Sequence, residues 1–349
     1  MDTMIKTKEL QQEDQSESIV ALSVVCPFYN EEQIIEDAVV TLLGKLEELD
    51  TTWELITVND GSTDKSAEIV ARIIVSHPRL KLVSYRFNRG RGYALRMGIA
   101  KTIGDIVVTT EIDLSWGEDI VERLYHAMKE RPEADIIVAS PNLKGGGYRN
   151  VPFKRVAFSR FGNLVIRAFM SNTVTMNTGM TRAYRREVIQ SIPLEEDRKE
   201  FHLEVIMKAQ VLNYRIYEIP CILEWKAYKQ EGKRIQRKSS SKINRLVLSH
   251  TFFSLFANPI RYVWSLGAAA MMLAVIFLIW SFLRLLAEQV SVFTFIISLT
   301  LAVIALMLFS FGVIAQQGYM VQKEIWTLKQ SMLQQNQKYK AEREVESSE

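Results

Sequence analysis

Two carboxylates one residue apart, Glu111 and Asp113, have the residue types and spacing in this sequence that best suit chemistry. They follow a short apolar run, which predicts that they lie at the end of a buried strand. In an extended segment, residues i and i+2 point to the same side. Two carboxylates on one side can bind a hard divalent cation, which can hold a diphosphate and neutralise its charge as it leaves. The alternative is a solvated acidic turn after the strand.

Alternating strand and helix patterns surround this pair and would position it. Short apolar runs rich in β-branched residues predict strands, and apolar residues at helical spacing predict helices. The predicted strands are 19–27, 53–58, 80–85 and 105–110, and the predicted helices are 34–49, 66–75 and 93–102. This alternation is typical of a parallel α/β sheet, whose ligands bind beyond the carboxyl ends of the strands. The polar clusters PFYNEE, NDGSTD, NRGRG and EID fall at those ends, so the sequence predicts one shared site there.

Composition and missing motifs exclude several classes of protein. The net charge is only +3, so no nucleic-acid partner is expected. The four histidines are scattered singly, without metal-ligand spacing. No G-x-G-x-x-G follows the first strand and no G-x-x-x-x-G-K-[ST] occurs, which disfavours a dinucleotide fold and excludes a P-loop. Cys26 and Cys221 lie in different apolar runs, so no disulfide framework is expected, which fits a reducing compartment.

Two polar features at the strand ends each have two interpretations. Asp60, in the turn after the second strand, can accept hydrogen bonds from a base or a sugar, or it can cap the next helix together with Ser62. Both roles are compatible. Gly90 and Gly92 would let the backbone approach a phosphate, although a glycine turn before a helix needs no ligand.

Eight motifs in order carry a family resemblance. PFYNEE, VNDGSTD, NRGRGYALRMGIAKTIGD and EIDLS resemble the family 2 glycosyltransferases of GT-A fold. Further on, KGGGYRN, GMTRAYRREV, FHLEVIMKA and NYRIYEIP resemble the polyprenyl-phosphate branch of that family, the dolichyl-phosphate mannose synthase-like enzymes. The resemblance implies an α/β catalytic domain over residues 19–242, with a Rossmann-like and mostly parallel sheet.

The resemblance also implies roles for particular residues. Glu111 and Asp113 would bind Mg²⁺ or Mn²⁺, and Asp113 would be catalytic. Glu204 is a base candidate by its position alone, and an acceptor that is already an anion needs little deprotonation. The residues that match or stand near the family's donor contacts are Pro27, Tyr29, Glu31, Val58, Asp60, Glu111, Ile112, Asp113, Arg237 and Lys242.

Several positions depart from the family's pattern, so contacts to the donor's phosphates and sugar are expected to differ from those of the mannosyl enzymes. The late R-x-x-G-x-S-K segment survives only as RKSSSK, with Lys242 in register and Arg237 one place off. The first acid of D-D-G-S, the first acid of D-x-D, the arginine of G-S-R-Y and the aspartate before T-S-G-F are replaced by Asn59, Glu111, Pro141 and Thr175.

Two apolar stretches near the C-terminus predict a membrane hairpin over residues 262–316. Each is near the ~20 residues that span a bilayer. A basic run ahead of the hairpin places the catalytic domain and both termini in the cytoplasm by the positive-inside rule. That run would bind a lipid phosphate or only anchor the chain. The remaining predicted segments are a flexible tail over 1–18, an amphipathic juxtamembrane helix over 243–261 and a polar C-terminal helix or tail over 317–349.

The sequence therefore predicts an integral membrane glycosyltransferase with two transmembrane helices. It would move a hexose from a UDP- or GDP-sugar to polyprenyl (undecaprenyl or dolichyl) phosphate, and the resemblance implies metal dependence and inversion. The C-terminal helix would allow a homo-oligomer. One alternative is a processive polysaccharide synthase, although the Q-x-x-R-W motif is absent. The others are a degenerate, non-catalytic membrane scaffold and a transferase for another lipid acceptor, whose hydroxyl would need a base.

Overall fold

The computed structural model of the protein describes residues 20–170, 174–225, 228–230, 233–235, 259–289 and 292–346. The predicted N-terminal tail, residues 243–258 of the predicted juxtamembrane helix, and the donor-contact candidates Arg237 and Lys242 lie outside the described residues.

A seven-stranded sheet forms the centre of the predicted catalytic domain. The strands in chain order are β1 (Leu22–Phe28), β2 (Trp53–Asn59), β3 (Leu80–Ser84), β4 (Ile106–Thr109), β5 (Ile136–Ser140), β6 (Gly147–Arg149), β7 (Arg182–Arg185), β8 (Ile216–Pro220), β9 (Ile222–Glu224), β10 (Tyr228–Gln230) and β11 (Lys233–Ile235). Seven of these strands form the main sheet, in the order β3-β2-β1-β4-β7-β5-β8. Its strands pair in parallel except for β7, which is antiparallel to both β4 and β5. The predicted α/β class with a mostly parallel sheet is confirmed.

Helices connect and cover the strands. They are α1 (Ile35–Glu47), α2 (Ser66–Ile74), α3 (Arg91–Ile99), α4 (Ile120–Glu130), α5 (Phe153–Met170), α6 (Arg186–Ser191), α7 (Phe201–Val211), α8 (Pro259–Leu286) and α9 (Val292–Glu346). In α1, Ile35, Val39, Leu42 and Leu46 are buried, and this spacing of three and four residues gives the helix one apolar face for the core. Every residue of β2, β4 and β5 is buried, and so is every residue of β1 except Pro27, as expected for a sheet covered on both sides.

The two C-terminal helices are each long and apolar enough to cross a membrane. Trp264 contacts Phe309, and Ala274 further along α8 contacts Ser298 earlier in α9. The two helices therefore pack antiparallel to each other. Ser298 donates its hydroxyl to the Ala274 carbonyl at 2.9 Å. The α9 helix then continues without a break to Glu346, so the predicted boundary between the hairpin and the polar tail falls inside one helix.

Candidate active site

Three carboxylates lie near Cys26, at the carboxyl ends of β1 and β4, which are adjacent and parallel. Cys26 is buried in β1. Burial raises the pKa of its thiol, and the negative charges of Asp113, Glu111 and Glu31 raise it further. Charges act on a buried group in this way only from nearby. The structure therefore brings three predicted site residues to one edge of the sheet.

Residues 111–117 form a turn rather than an extension of β4. Leu114 has a φ of 49°, a left-handed conformation that ends an extended run. The expectation that Glu111 and Asp113 share one side of a strand is therefore wrong in its geometry. Ser115 nevertheless joins them, because it donates its backbone N–H to Asp113 Oδ1 at 3.1 Å and its hydroxyl to Glu111 Oε2 at 2.8 Å.

The apolar residues of this turn anchor it to the core. Ile112, Leu114 and Trp116 are all buried, whereas Glu111 before them and Asp113 between the first two are half-buried. Ile112 and Val58, both expected at the donor site, have side chains fully inside the core. Any contact that they make with a donor would come from the backbone.

Three cationic side chains lie around Glu111. Arg91 donates from Nη1 to Glu111 Oε1 at 3.1 Å. The pKa of Lys199 is lowered by burial and then by the nearby charges of Arg91 and Arg155. Burial also lowers the pKa of Arg155, while Glu111 opposes that shift. Sequence reasoning missed all three cations, although Arg91 lies within the NRGRG motif that it singled out.

This arrangement suits a cation that takes part of its coordination from a ligand. Among the described residues, no group of three or more His, Cys, Asp or Glu side chains is placed to hold a metal ion. Mg²⁺, however, keeps several waters and commonly binds through one or two carboxylates plus substrate phosphates. Glu111 and Asp113, held together by Ser115, fit that requirement, and the three cations beside them would face the phosphates.

Asp60 is a buried anchor for the Asn88–Gly90 loop. It accepts hydrogen bonds within 3.2 Å from four donors, which are the Tyr85 hydroxyl, the Asn88 amide and the backbone N–H groups of Arg89 and Gly90; the Gly90 N–H is shared between both carboxylate oxygens. It does not cap α2. Asp64 accepts from the Ser66 N–H and hydroxyl at the start of that helix. The donor contact of Asp60 stays a prediction, and the structure adds a role in positioning the loop.

Replacing Asp60 tests that positioning role. Asp60→Asn keeps the shape but turns an acceptor oxygen into an N–H₂ donor that faces other donors. We expect the free energy of unfolding to fall by about 2 kcal/mol, measured by chemical denaturation of the protein in detergent. Asp105→Asn, whose carboxylate is 67% exposed, is the matched control and should change it by less than about 0.5 kcal/mol. Equal effects of the two changes would contradict the anchoring role.

The two glycines of the NRGRG motif make room for another part of the protein. Gly90 has a φ of 105°, a conformation that favours glycine. A Cβ on Gly92 would lie 2.5 Å from the Glu196 carbonyl oxygen and 2.7 Å from that of Arg198. The Tyr93 N–H also donates to the Asp197 carbonyl at 3.0 Å. These contacts favour the interpretation in which the glycines permit backbone packing rather than phosphate approach.

Glu204 is buried and fully engaged within the protein. Its two oxygens accept the backbone N–H groups of Glu195 and Glu196, each at 2.9 Å. Lys208 Nζ donates to Glu204 Oε1 at 2.6 Å. The carboxylate thus clamps the loop before α7. Its role as a base stays a prediction, and these contacts do not favour it.

A second carboxylate, Glu218 in β8, fixes the backbone at Thr175 and Met176. Glu218 accepts the Thr175 N–H at 2.8 Å, the Thr175 hydroxyl at 3.0 Å and the Met176 N–H at 2.9 Å. Thr175 occupies the position where the family pattern has an aspartate. Glu218 therefore places a carboxylate beside the position where the expected one is missing.

Three more of the predicted donor residues, Pro27, Tyr29 and Glu31, lie at the same edge. Pro27 is half-buried near the end of β1, Phe28 is the last and buried residue of that strand, and Tyr29 follows with 43% of its surface exposed. The Glu31 N–H donates to the Ser66 hydroxyl at 2.9 Å, which ties this loop to the start of α2. An exposed aromatic ring at the end of a parallel strand is suited to stacking on a base.

Comparisons with known proteins agree with this architecture. The family model described as "Glycosyl transferase family 2" matches residues 23–192. An undecaprenyl-phosphate 4-deoxy-4-formamido-L-arabinose transferase of Pectobacterium carotovorum is 27% identical over 187 residues, 53% of this chain and 55% of that protein. An uncharacterised glycosyltransferase of Synechocystis sp. is 31% identical over 182 residues, 52% of this chain and 55% of that protein. The chain thus spans about half the length of the curated relatives that it matches.

A solved structure shares the fold. Glucosyl-3-phosphoglycerate synthase from Mycobacterium tuberculosis, in complex with Mn²⁺, UDP-glucose and phosphoglyceric acid, matches with a TM-score of 0.51 at 20% identity. The match covers 68% of this chain and 79% of that one. With the strand order and the matched motifs, it identifies the fold. Residues 23–192 therefore form a glycosyl transferase family 2 domain with the GT-A fold.

Proposed function

We propose that the protein is a membrane-anchored, metal-dependent glycosyltransferase that moves a hexose from a nucleotide diphosphate sugar to a polyprenyl phosphate. The observation that carries the proposal is the Glu111–Asp113 turn, with three cations beside it, in a domain that leads into two apolar helices. The curated relatives named for undecaprenyl phosphate support the acceptor class.

The donor would bind at the carboxyl ends of β1, β2 and β4. Tyr29 and Glu31 would contact the nucleoside, and Glu111 and Asp113 would hold Mg²⁺ or Mn²⁺ against the diphosphate. When bound, the metal would neutralise the negative charge that develops on the departing nucleotide diphosphate. Arg91, already paired with Glu111 at 3.1 Å, would add a bidentate donor to the same phosphates.

The acceptor would need positive charge and alignment more than a base. A phosphate oxygen is already an anion at neutral pH, so catalysis comes from positioning it in line with the leaving group. Arg155 and Lys199 lie near Glu111 and would offset the repulsion between the acceptor phosphate and the donor diphosphate. The attack would come from the face opposite the diphosphate, with inversion at the anomeric carbon.

The path of α9 supports a hairpin topology. After its apolar part, the helix contacts the catalytic domain through Lys329, whose Nζ lies 2.5 Å from Glu195 Oε1. The chain on the far side of the second span would therefore return to the side of the catalytic domain. We place that domain and both termini in the cytoplasm.

Topology can be measured directly. A reporter that is active only in the cytoplasm should be active when it is fused to either terminus, because two spans return the chain to its starting side. The matched control is a fusion after Glu288, in the link between α8 and α9, which should report the opposite face. Reporters that place the two termini on opposite faces would refute the hairpin.

A transfer assay tests the function itself. Purified protein in detergent is given undecaprenyl phosphate, Mg²⁺ or Mn²⁺, and a panel of radiolabelled UDP- and GDP-sugars. Label that enters the organic phase with one donor, and only with metal, is the expected result. Release of free nucleotide without lipid labelling would favour another acceptor. If the protein neither transfers sugar nor binds nucleotide in a metal-dependent way, the proposal is overturned in favour of a scaffold.

A further inference from the structure

The segment of α9 beyond its apolar part lies against the catalytic domain on one helical face. Trp326 is only 6% exposed, whereas Ile325 next to it is 45% exposed and Leu328 is 61% exposed. Trp326, Lys329 and Gln330 are spaced by three and four residues, so they share that face. Burial of this single large aromatic ring marks the face as a docking surface rather than a solvated one.

Polar contacts surround the buried ring. Lys329 pairs with Glu195 at 2.5 Å, and Gln330 donates to the Tyr214 hydroxyl at 2.6 Å. Both side chains of the ion pair are about half exposed, and exposed pairs contribute little to binding. Trp326 is therefore the residue on which docking depends most.

Trp326 contacts the clamp of the loop over residues 193–200. Lys208 Nζ lies 5.0 Å from the centre of the Trp326 ring, within the range of a cation–π interaction. Lys208 is itself buried and donates to Glu204 and to the Pro193 carbonyl, at 2.6 and 2.5 Å. Glu204 in turn accepts the N–H groups of Glu195 and Glu196. The α9 helix thus covers one side of the buried Glu204–Lys208 pair that fixes this loop.

The other side of the same loop faces the candidate active site. The Asp197 carbonyl accepts the N–H of Tyr93 at 3.0 Å, and the Asp197 carboxylate pairs with Arg96. The loop carbonyls of Glu196 and Arg198 also pack against Gly92. The preceding residue, Arg91, donates to Glu111 at 3.1 Å. In the same loop, burial and then the charge of Arg91 lower the pKa of Lys199. The loop therefore connects the docked helix with the cations that surround the carboxylates.

We propose that Trp326 is a positioning residue, through which the cytoplasmic extension of the second membrane helix holds residues 193–200 in the arrangement that places Lys199 and Arg91 beside Glu111. The proposal takes its catalytic meaning from the proposed function. It assigns the C-terminal extension a part in donor and metal binding that no motif of the sequence indicates.

Hydrogen exchange tests the docking without any need for activity. In the full chain in detergent, Trp326→Ala should speed exchange of the amides over 193–200 by about tenfold. Ile325→Ala, one residue away on the exposed face, is the matched control and should leave it unchanged. Peptides from β1 and β2 should exchange equally in both variants, which shows that the domain is folded. Unchanged exchange over 193–200 in Trp326→Ala would overturn the proposal.

Kinetics then separate positioning from packing. Trp326→Ala should raise the apparent KM of the active sugar nucleotide about tenfold and change the KM of undecaprenyl phosphate less than about twofold. Trp326→Phe, which keeps an aromatic ring over Lys208, should restore most of the donor KM. If exchange becomes faster but the donor KM is unchanged, Trp326 only packs against the loop and the positioning role is overturned. A wild-type protein that transfers no sugar would refute the proposed function instead, and the exchange result alone would then decide whether the helix holds the loop.

Discussion

Asp113→Asn is expected to abolish sugar transfer, by about a thousandfold or more, while the protein stays folded. The change removes the negative charge that would hold a divalent cation, but it keeps an oxygen in the same place. That oxygen can still accept the Ser115 N–H, which now lies 3.1 Å from Asp113 Oδ1. The turn therefore survives while metal binding is lost. The measurement is radiolabel transferred to lipid at saturating Mn²⁺.

The matched control is Asp119→Asn, the same chemical change six residues further along. The Asp119 carboxylate is 56% exposed and lies 4.0 Å from Arg123 at the start of α4. It should retain wild-type turnover. Wild-type turnover in Asp113→Asn itself would contradict the metal assignment. Equal loss in both variants would point to a general effect of charge on the domain.

The second large effect is on stability. Glu204→Gln is expected to lower the free energy of unfolding of the catalytic domain by about 3 kcal/mol. Lys208 is 3% exposed and would keep a buried charge without its carboxylate partner. Chemical denaturation, followed by the near-ultraviolet signal of the folded domain, measures the change.

A double variant separates the buried charge from the loop contacts. Glu204→Gln with Lys208→Met removes both partners, and it should recover about half of the lost stability. The remaining loss would reflect the weaker acceptor now offered to the Glu195 and Glu196 N–H groups. If Glu204→Gln instead left stability unchanged and abolished turnover, the residue would act as a base and the clamp assignment would be wrong.

The sheet could be predicted from the sequence because its strands are short apolar runs. The buried residues of these runs include Val24, Val25, Ile56 and Val108. Their β-branched side chains favour a strand over a helix. The order of the motifs then placed the polar clusters at one edge. The antiparallel β7 was not predicted, since the stretch around Arg182 carries no alternating or continuous apolar pattern.

The geometry of the site was less predictable. Apolar and polar residues alternate from Glu111 to Trp116, which is the pattern of a strand, but the positive φ of Leu114 makes the segment a turn. Tertiary packing of Leu114 and Trp116 overrides the local pattern.

Contacts between distant parts of the chain left no local signal at all. Arg91 and Glu111 are separated by 20 residues, and Lys329 and Glu195 by 134. Neither pair could be recognised by spacing, because a periodic pattern reports only on contacts within one helix or strand.

Because α9 is unbroken, the direction in which Trp326 points depends on the number of residues between it and the apolar part of the same helix. Its 55 residues correspond to a rod about 80 Å long, and the same rod includes both the apolar span and Trp326. One residue inserted between them would rotate Trp326 by about 100° and point it away from Lys208. Seven inserted residues would restore its direction to within about 20° but lift it by about 10 Å. The distance from the bilayer to the catalytic domain can therefore change only in steps of whole turns, and each step would have to be matched by the chain that enters the membrane before α8.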